Sequence, residues 1–248
     1  MKKCLSLVLL LLILTGVRCP TQKTTDNVAE VSSVQSETVS FTTSDGLNIA
    51  ASYFPGPANA QNSVILVHML AQNRHDWDSL AGKLRQGDFN VLSIDLRGHG
   101  QSDGQYQKFD NSDFAKMVFD VAAAVQFLKE KHPETTIKLI GASLGANVAL
   151  NAAVIDPAVS GLVLLSPGLE YRSVTTEDAI EQYTSALLLV ASQDDKASYL
   201  AARVLFDLVP ESDHYKYLQT YKYAGHGTHM LTAVDDLDQV IIKFLKEN

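Results

Sequence analysis

Residues 137–148 read I-K-L-I-G-A-S-L-G-A-N-V. An apolar run (Ile137, Leu139, Ile140) stops at Gly141, Ser143 follows, and Gly145 opens a stretch of helical character. This is G-x-S-x-G between a strand and a helix, a turn sharp enough to push one serine out at the end of a sheet. The flanking glycines have a steric reason. The serine's backbone is strained, and a side chain at Gly141 or Gly145 would collide with the neighbouring strand or helix. The serine oxygen then has a helix N-terminus behind it, which favours negative charge. The pentapeptide alone is a weak signal because its residues are common, so partners elsewhere in the chain must decide its meaning.

Outward from this turn, strands and helices alternate. Upstream, residues 63–68 (S-V-I-L-V-H) and 89–96 are continuous apolar runs, the signature of strands buried on both faces of a parallel sheet. Between them, residues 77–86 read as a short amphipathic helix ending near Gly87. Residues 113–131 carry the strongest helix pattern. Phe114, Val118, Val121, Val125 and Leu128 recur at helical spacing on one stripe, and Pro133 closes it. Downstream, strands are expected over 159–166, 186–191 and 215–223, with helices to about Ile155, over 198–208 and over 237–245. Before all of these, residues 37–53 alternate apolar and polar around a Ser-Asp-Gly turn at 44–46, which predicts two antiparallel strands. The fold class is therefore α/β: a mostly parallel sheet with antiparallel N-terminal strands and helices on both faces.

The chain of 248 residues is 46% hydrophobic, enough for one domain with a large core. Its formal charge is −8, with no basic stripe to follow nucleic acid, so a nucleic-acid partner is not expected. Met1-Lys2-Lys3 followed by an apolar stretch over 5–14, interrupted only by Ser6, reads as a secretory signal over 1–18. The two cysteines are Cys4 within it and Cys19 just beyond, so residues 37–248 hold no disulfide. Residues 19–36 form a polar, Thr/Ser/Gln-rich tether ahead of a catalytic domain over 37–248. Cys19 followed by this tether resembles the lipid-attachment site of bacterial lipoproteins and suggests membrane anchoring. Arg18 departs from the small residue expected there, and cleavage by an ordinary signal peptidase is the alternative. Nothing in the sequence sets an oligomeric state.

A serine hydroxyl needs an imidazole to take its proton and a carboxylate to orient that imidazole. On a fold of this kind both follow the serine in chain order, each just after a later strand. Asp194 and Asp195 follow the run ending at Ala191, and His226 lies in Y-A-G-H-G-T-H after the aromatic strand. From about Val39 onward the chain resembles the α/β-hydrolase-fold serine hydrolases. The resemblance rests on V-I-L-V-H-M-L at 64–70, D-L-R-G-H-G-Q-S-D-G at 95–104, G-A-S-L-G at 141–145 and the late acid and histidine. Within that superfamily it is similar to small bacterial hydrolases near the dienelactone hydrolases. Those use a cysteine nucleophile, and Ser143 departs from them.

The resemblance implies a triad of Ser143, Asp194 and His226, with Asp194 favoured over Asp195 by its distance from the strand end and His226 over His229 by its Gly-His-Gly setting. The oxyanion donors it implies are the N–H groups of Leu144, just after the nucleophile, and of Leu70. Met69 stands where relatives commonly carry glycine, which is tolerable unless that position requires positive φ. His99 is expected to make a structural hydrogen bond, and Tyr171 and Met69 are candidate pocket walls. No cofactor is expected, and no spacing among the seven histidines suggests a metal site. The segment over 168–184 is too short for a full cap domain, so the expected substrate is a small ester in an open cleft.

Overall fold

Apolar runs bracketed by turn residues become the strands of one large sheet. The structure, a computed structural model, describes residues 36–211 and 215–248. The signal segment over 1–18, Cys19 and the tether, apart from Ser36, lie outside the described residues, as does His214.

The strands of the large sheet are β1 (Glu37–Thr42), β2 (Asn48–Phe54), β3 (Asn62–Val67), β4 (Phe89–Ile94), β5 (Thr136–Ala142) and β6 (Val159–Leu165), then two after a small hairpin. That hairpin is β7 (Glu170–Tyr171) with β8 (Val174–Thr175), and β9 (Ala186–Ser192) and β10 (Lys216–Tyr221) complete the sheet. The order is β1-β2-β4-β3-β5-β6-β9-β10. β1 pairs antiparallel with β2, and β2 antiparallel with β4; every later pairing is parallel. The expected antiparallel start and parallel remainder are both present.

The helices are α1 (Asp78–Gln86), α2 (Asn111–Ala115), α3 (Val118–Lys131), α4 (Leu144–Ile155), α5 (Glu177–Ile180), α6 (Lys196–Leu208), α7 (Met230–Ala233) and α8 (Leu237–Glu247). Residues of α3, α4 and α6 join one core cluster, and those of α1 and α8 join a second. Alternate residues of the central strands feed the two clusters: Ile65 and Val67 join the first, Val64 and Leu66 the second. A strand buried on both faces needs an apolar residue at every position, which is why these runs show no alternation.

The helix expected over 113–131 is instead two. α2 starts on a capping box, with the Asp110 carboxylate accepting from Ser112 and Asp113 N–H while Asp113 accepts from Asp110 N–H. At the break, the N–H groups of Met117, Phe119 and Asp120 turn to carbonyls three residues back. That tightening interrupts the α-helical ladder between Ala115 and Val118.

The Gly-rich loop after β4 is held by two buried ion pairs, which explains the spacing in D-L-R-G-H-G-Q-S. Asp95, wholly buried, takes the Arg74 guanidinium and the N–H groups of Arg74 and Gln101, the latter two at 2.8 Å. Arg97 donates to Asp120 from its backbone and side chain at 2.8 Å and to Asp45 at 2.7 and 2.9 Å. The Arg97 guanidinium holds the Asp45 carboxyl down to about 2. Gly100 sits at φ +52°, and a Cβ there would lie 2.1 Å from the Asp95 carboxylate. Ser102 Oγ donates to Asp95 O at 2.6 Å and accepts Ala50 N–H at 2.9 Å, tying the loop to β2.

Candidate active site

β3, β5, β9 and β10 run parallel, so the segments that leave their C-terminal ends converge on one edge of the sheet, where open α/β folds place their ligands. Ser143 follows β5 at φ +53°, ψ −122°, the strained conformation expected of the turn. Its N–H donates to Leu165 O at 2.9 Å, anchoring the elbow to β6. The glycines are needed for the stated reason. A Cβ on Gly141 would lie 2.3 Å from Gly145 O, and one on Gly145 would lie 2.4 Å from both Val67 O and His68 O. The first turn of α4 therefore rests directly on the end of β3. That contact brings the Leu144 N–H, unpaired in its own helix, to the same corner as the loop carrying Leu70.

His68 orders that loop from below. It is fully buried, its Nε2 accepts Leu96 N–H at 3.0 Å, and so its Nδ1–H is the donor to Met69 O at 2.6 Å. Burial, aided by His99 nearby, lowers its pKa to about 4, so the ring is neutral. Met69 does not take positive φ; the left-handed residue of this loop is Ala71, at φ +62°. The departure from glycine at Met69 therefore causes no backbone strain. The Met69 side chain is buried, and a Cβ on Gly227 would lie 2.2 Å from its sulfur, so it packs under the histidine loop. His99 makes the structural bonds expected of it, to Arg97 O at 3.0 Å and from Ala71 N–H at 3.2 Å.

At the acid the structure differs from the sequence expectation. His226 Nδ1 donates to Asp195 Oδ2 at 2.6 Å, and Asp194 does not reach it. Asp194 instead accepts from Ser192 Oγ and from the N–H groups of Gly225 and Ala224, at 3.3 and 3.4 Å. The Ser192 bond, with these N–H groups, holds the Asp194 carboxyl below its usual range. The physical reason is the length of β9. It runs to Ser192, one residue beyond the apolar run, and Asp195 takes the N-cap position of α6 with no side-chain capping bond. Ser192 then bridges β9 to the histidine loop by accepting Ala224 N–H at 2.8 Å.

Two further groups, Ser166 and Ser198, had no signal in the sequence, and Tyr171, a candidate pocket wall, stands beside them. Ser166, at φ +50° and fully buried, accepts Gly227 N–H at 2.9 Å and fixes the loop just after His226. Ser198, in the first turn of α6, lies 3.4 Å from His226 Nδ1 and 3.0 Å from the Tyr171 hydroxyl. Tyr171, from the hairpin, also faces Ser143, and its ring stands edge-on to His226 with centroids 6.4 Å apart. Desolvation raises the pKa of its phenol, so it stays a neutral donor. His229 is exposed on the next turn.

A parallel sheet with an antiparallel start, a serine elbow after β5 and a histidine after the last strand define an α/β hydrolase. The chain belongs to the Hydrolase_4 family, described as serine aminopeptidase, S33, which matches residues 58–182. It is 30% identical over 124 residues to the monoglyceride lipase of Rattus norvegicus, a match covering 50% of this chain and 40% of that protein. Among solved structures it resembles the Pyrococcus furiosus esterase Pf2001, with a TM-score of 0.73 at 18% identity over 87% of this chain and 91% of that one. The dienelactone hydrolase of Anabaena variabilis has a TM-score of 0.70 at 18% identity, over 86% of this chain and 97% of that one. The two structures share the fold expected from the sequence.

Proposed function

We propose that this protein is a serine hydrolase of small carboxylic esters, working through an acyl-enzyme. Ser143 is the nucleophile. His226 takes its proton on Nε2, the nitrogen left basic when Nδ1–H is held by Asp195, and later returns it to the leaving alkoxide. Asp195 fixes the tautomer and stabilises the imidazolium as it forms. The Leu144 and Leu70 N–H groups receive the oxyanion, where one such donor is typically worth about 10²–10³ in turnover. The observation that carries this reading is the 2.6 Å His226–Asp195 hydrogen bond, together with a serine held at positive φ after β5. The ester-cleaving names of the lipase and esterase relatives support the leaving group. A hairpin and one short helix between β6 and β9, in place of a cap domain, support a small substrate.

Two measurements test it. A fluorophosphonate should label the protein on the peptide carrying Ser143, and p-nitrophenyl acetate should be turned over. Absence of both would end the hydrolase reading. The family description raises one rival, an aminopeptidase with the same machinery. Faster release from aminoacyl p-nitroanilides than from the esters would put it in place of the esterase.

We further propose that the enzyme is exported and held at the membrane by a lipid on Cys19, a released form cut by an ordinary signal peptidase being the alternative. Cys19→Ser should then move the full-length protein from the membrane to the soluble fraction of expressing cells. Unchanged fractionation would refute the anchor and leave the hydrolase untouched.

A further inference from the structure

α6 begins at the active site and continues away from it with an unusual outer face. Ser198, beside His226, is buried, yet Leu200 is 59% exposed and Val204 40% exposed on the same helix. Ala197, Leu200, Ala201 and Val204 follow helical spacing, a stripe of the kind that elsewhere packs into a core. Opposite it stands the β7–β8 hairpin, and the two enclose a groove of about 300 Å³ lined by Leu169, Tyr171, Ala197, Leu200, Ala201 and Val204. Glu170 also lines the groove, and its carboxylate accepts Ser173 N–H at 3.2 Å.

Tyr171 stands between the groove and the chemistry. Its ring lines the groove, while its hydroxyl bonds Ser198 and faces Ser143. Gly168 keeps the ring in place, since a Cβ there would lie 2.6 Å from it. A group bound covalently to Ser143 would have its apolar tail pass Tyr171 into a trough whose lining is apolar apart from Glu170. From Ser198 to Val204 the helix rises roughly 9 Å, the reach of a medium-length alkyl chain.

We propose that this groove is the acyl-chain subsite, and that the preferred substrates are esters of medium-chain fatty acids, with about six to eight carbons set by that ~9 Å reach. The inference rests on the hydrolase reading above. Leu200 and Val204 are its far wall and Tyr171 its entrance. Burying each methylene would favour binding by roughly fourfold, so three or four would dominate the choice of chain.

The test compares kcat/KM for p-nitrophenyl acetate and octanoate in the wild type, Leu200→Asp and Val204→Asp. Ile155→Asp, at the exposed end of α4, is the control. The wild type should prefer octanoate. The octanoate-to-acetate ratio should fall by about tenfold or more in the two groove variants, as expected from losing a few methylene contacts, and should hold in the control. As a second readout on the unmodified protein, octylboronic acid should inhibit at least about tenfold more tightly than ethylboronic acid. Acetate turnover with no preference for octanoate, or a ratio unmoved in both groove variants, overturns the subsite and spares the hydrolase. No labelling of Ser143 and no turnover of either ester overturns both.

Discussion

Asp195→Asn is expected to lower kcat for p-nitrophenyl acetate by roughly 10⁴, while Asp194→Asn costs less than about tenfold. The difference follows from what each carboxylate touches. Asp195 accepts the Nδ1 proton of His226 at 2.6 Å. An asparagine there presents an amide that can also donate, so the ring is free to carry its proton on Nε2. In that tautomer it cannot accept the serine proton, and the imidazolium that forms in the transition state loses its counter-charge. Asp194 touches no imidazole. It receives the Ser192 hydroxyl and two backbone N–H groups at the approach to His226, contacts that an amide oxygen can still accept. Steady-state kinetics on the two variants, with circular dichroism to confirm folding, decides the assignment. A larger loss in Asp194→Asn would return the orienting role to that residue.

Adjacent acids separated by one peptide bond cannot be told apart by counting from a predicted strand end. The apolar run stops at Ala191, but the hydrogen-bonded strand continues through Ser192, because β10 supplies a partner register that a sequence pattern does not show. One residue of extension rotates the following turn and exchanges the two carboxylates. The same limit hid Ser166 and Ser198. Each is a single hydroxyl whose role depends on a contact more than 25 residues away, Ser166 with Gly227 and Ser198 with His226. By contrast, the sheet was legible almost strand by strand. Strands such as β3 and β9 are buried on both faces, and the need to fill both with apolar side chains leaves an almost unbroken run.

The elbow was legible for a related reason: a steric demand at close range allows few residue types. Gly141 and Gly145 each face backbone within 2.4 Å of where a Cβ would sit, so the demand appears in the sequence as glycine. The Asp95 and Arg97 positions are similar, since a buried charge needs a fixed partner. The helix break at residues 115–118 was not legible. The stripe of apolar residues continues across it, and the tightened turn carries no glycine or proline to mark it.

His68 gives the second large effect, on stability as a function of pH. The free imidazole titrates at 6.5, and burial beneath the Met69–Leu70 loop lowers it to about 4. Between those values the unfolded chain holds a proton that the folded chain does not, so stability rises with pH across the window and is lost as pH falls through it. The loss at pH 4 amounts to about 3 kcal/mol. His68→Gln should be destabilised at pH 7.5, because glutamine restores the bonds to Leu96 N–H and Met69 O imperfectly, by about 1–3 kcal/mol. That gap should narrow steadily below pH 6.5 and close or reverse near pH 4, since glutamine has no proton to gain. Comparing the two proteins removes the contribution of the titrating groups that do not interact with His68, which both share. Urea unfolding of each at pH 7.5, 6, 5 and 4 measures it. A gap that stays constant across the series would mean that His68 does not resist protonation in the fold. The loop offered to the oxyanion would then have to be held by something other than a neutral ring.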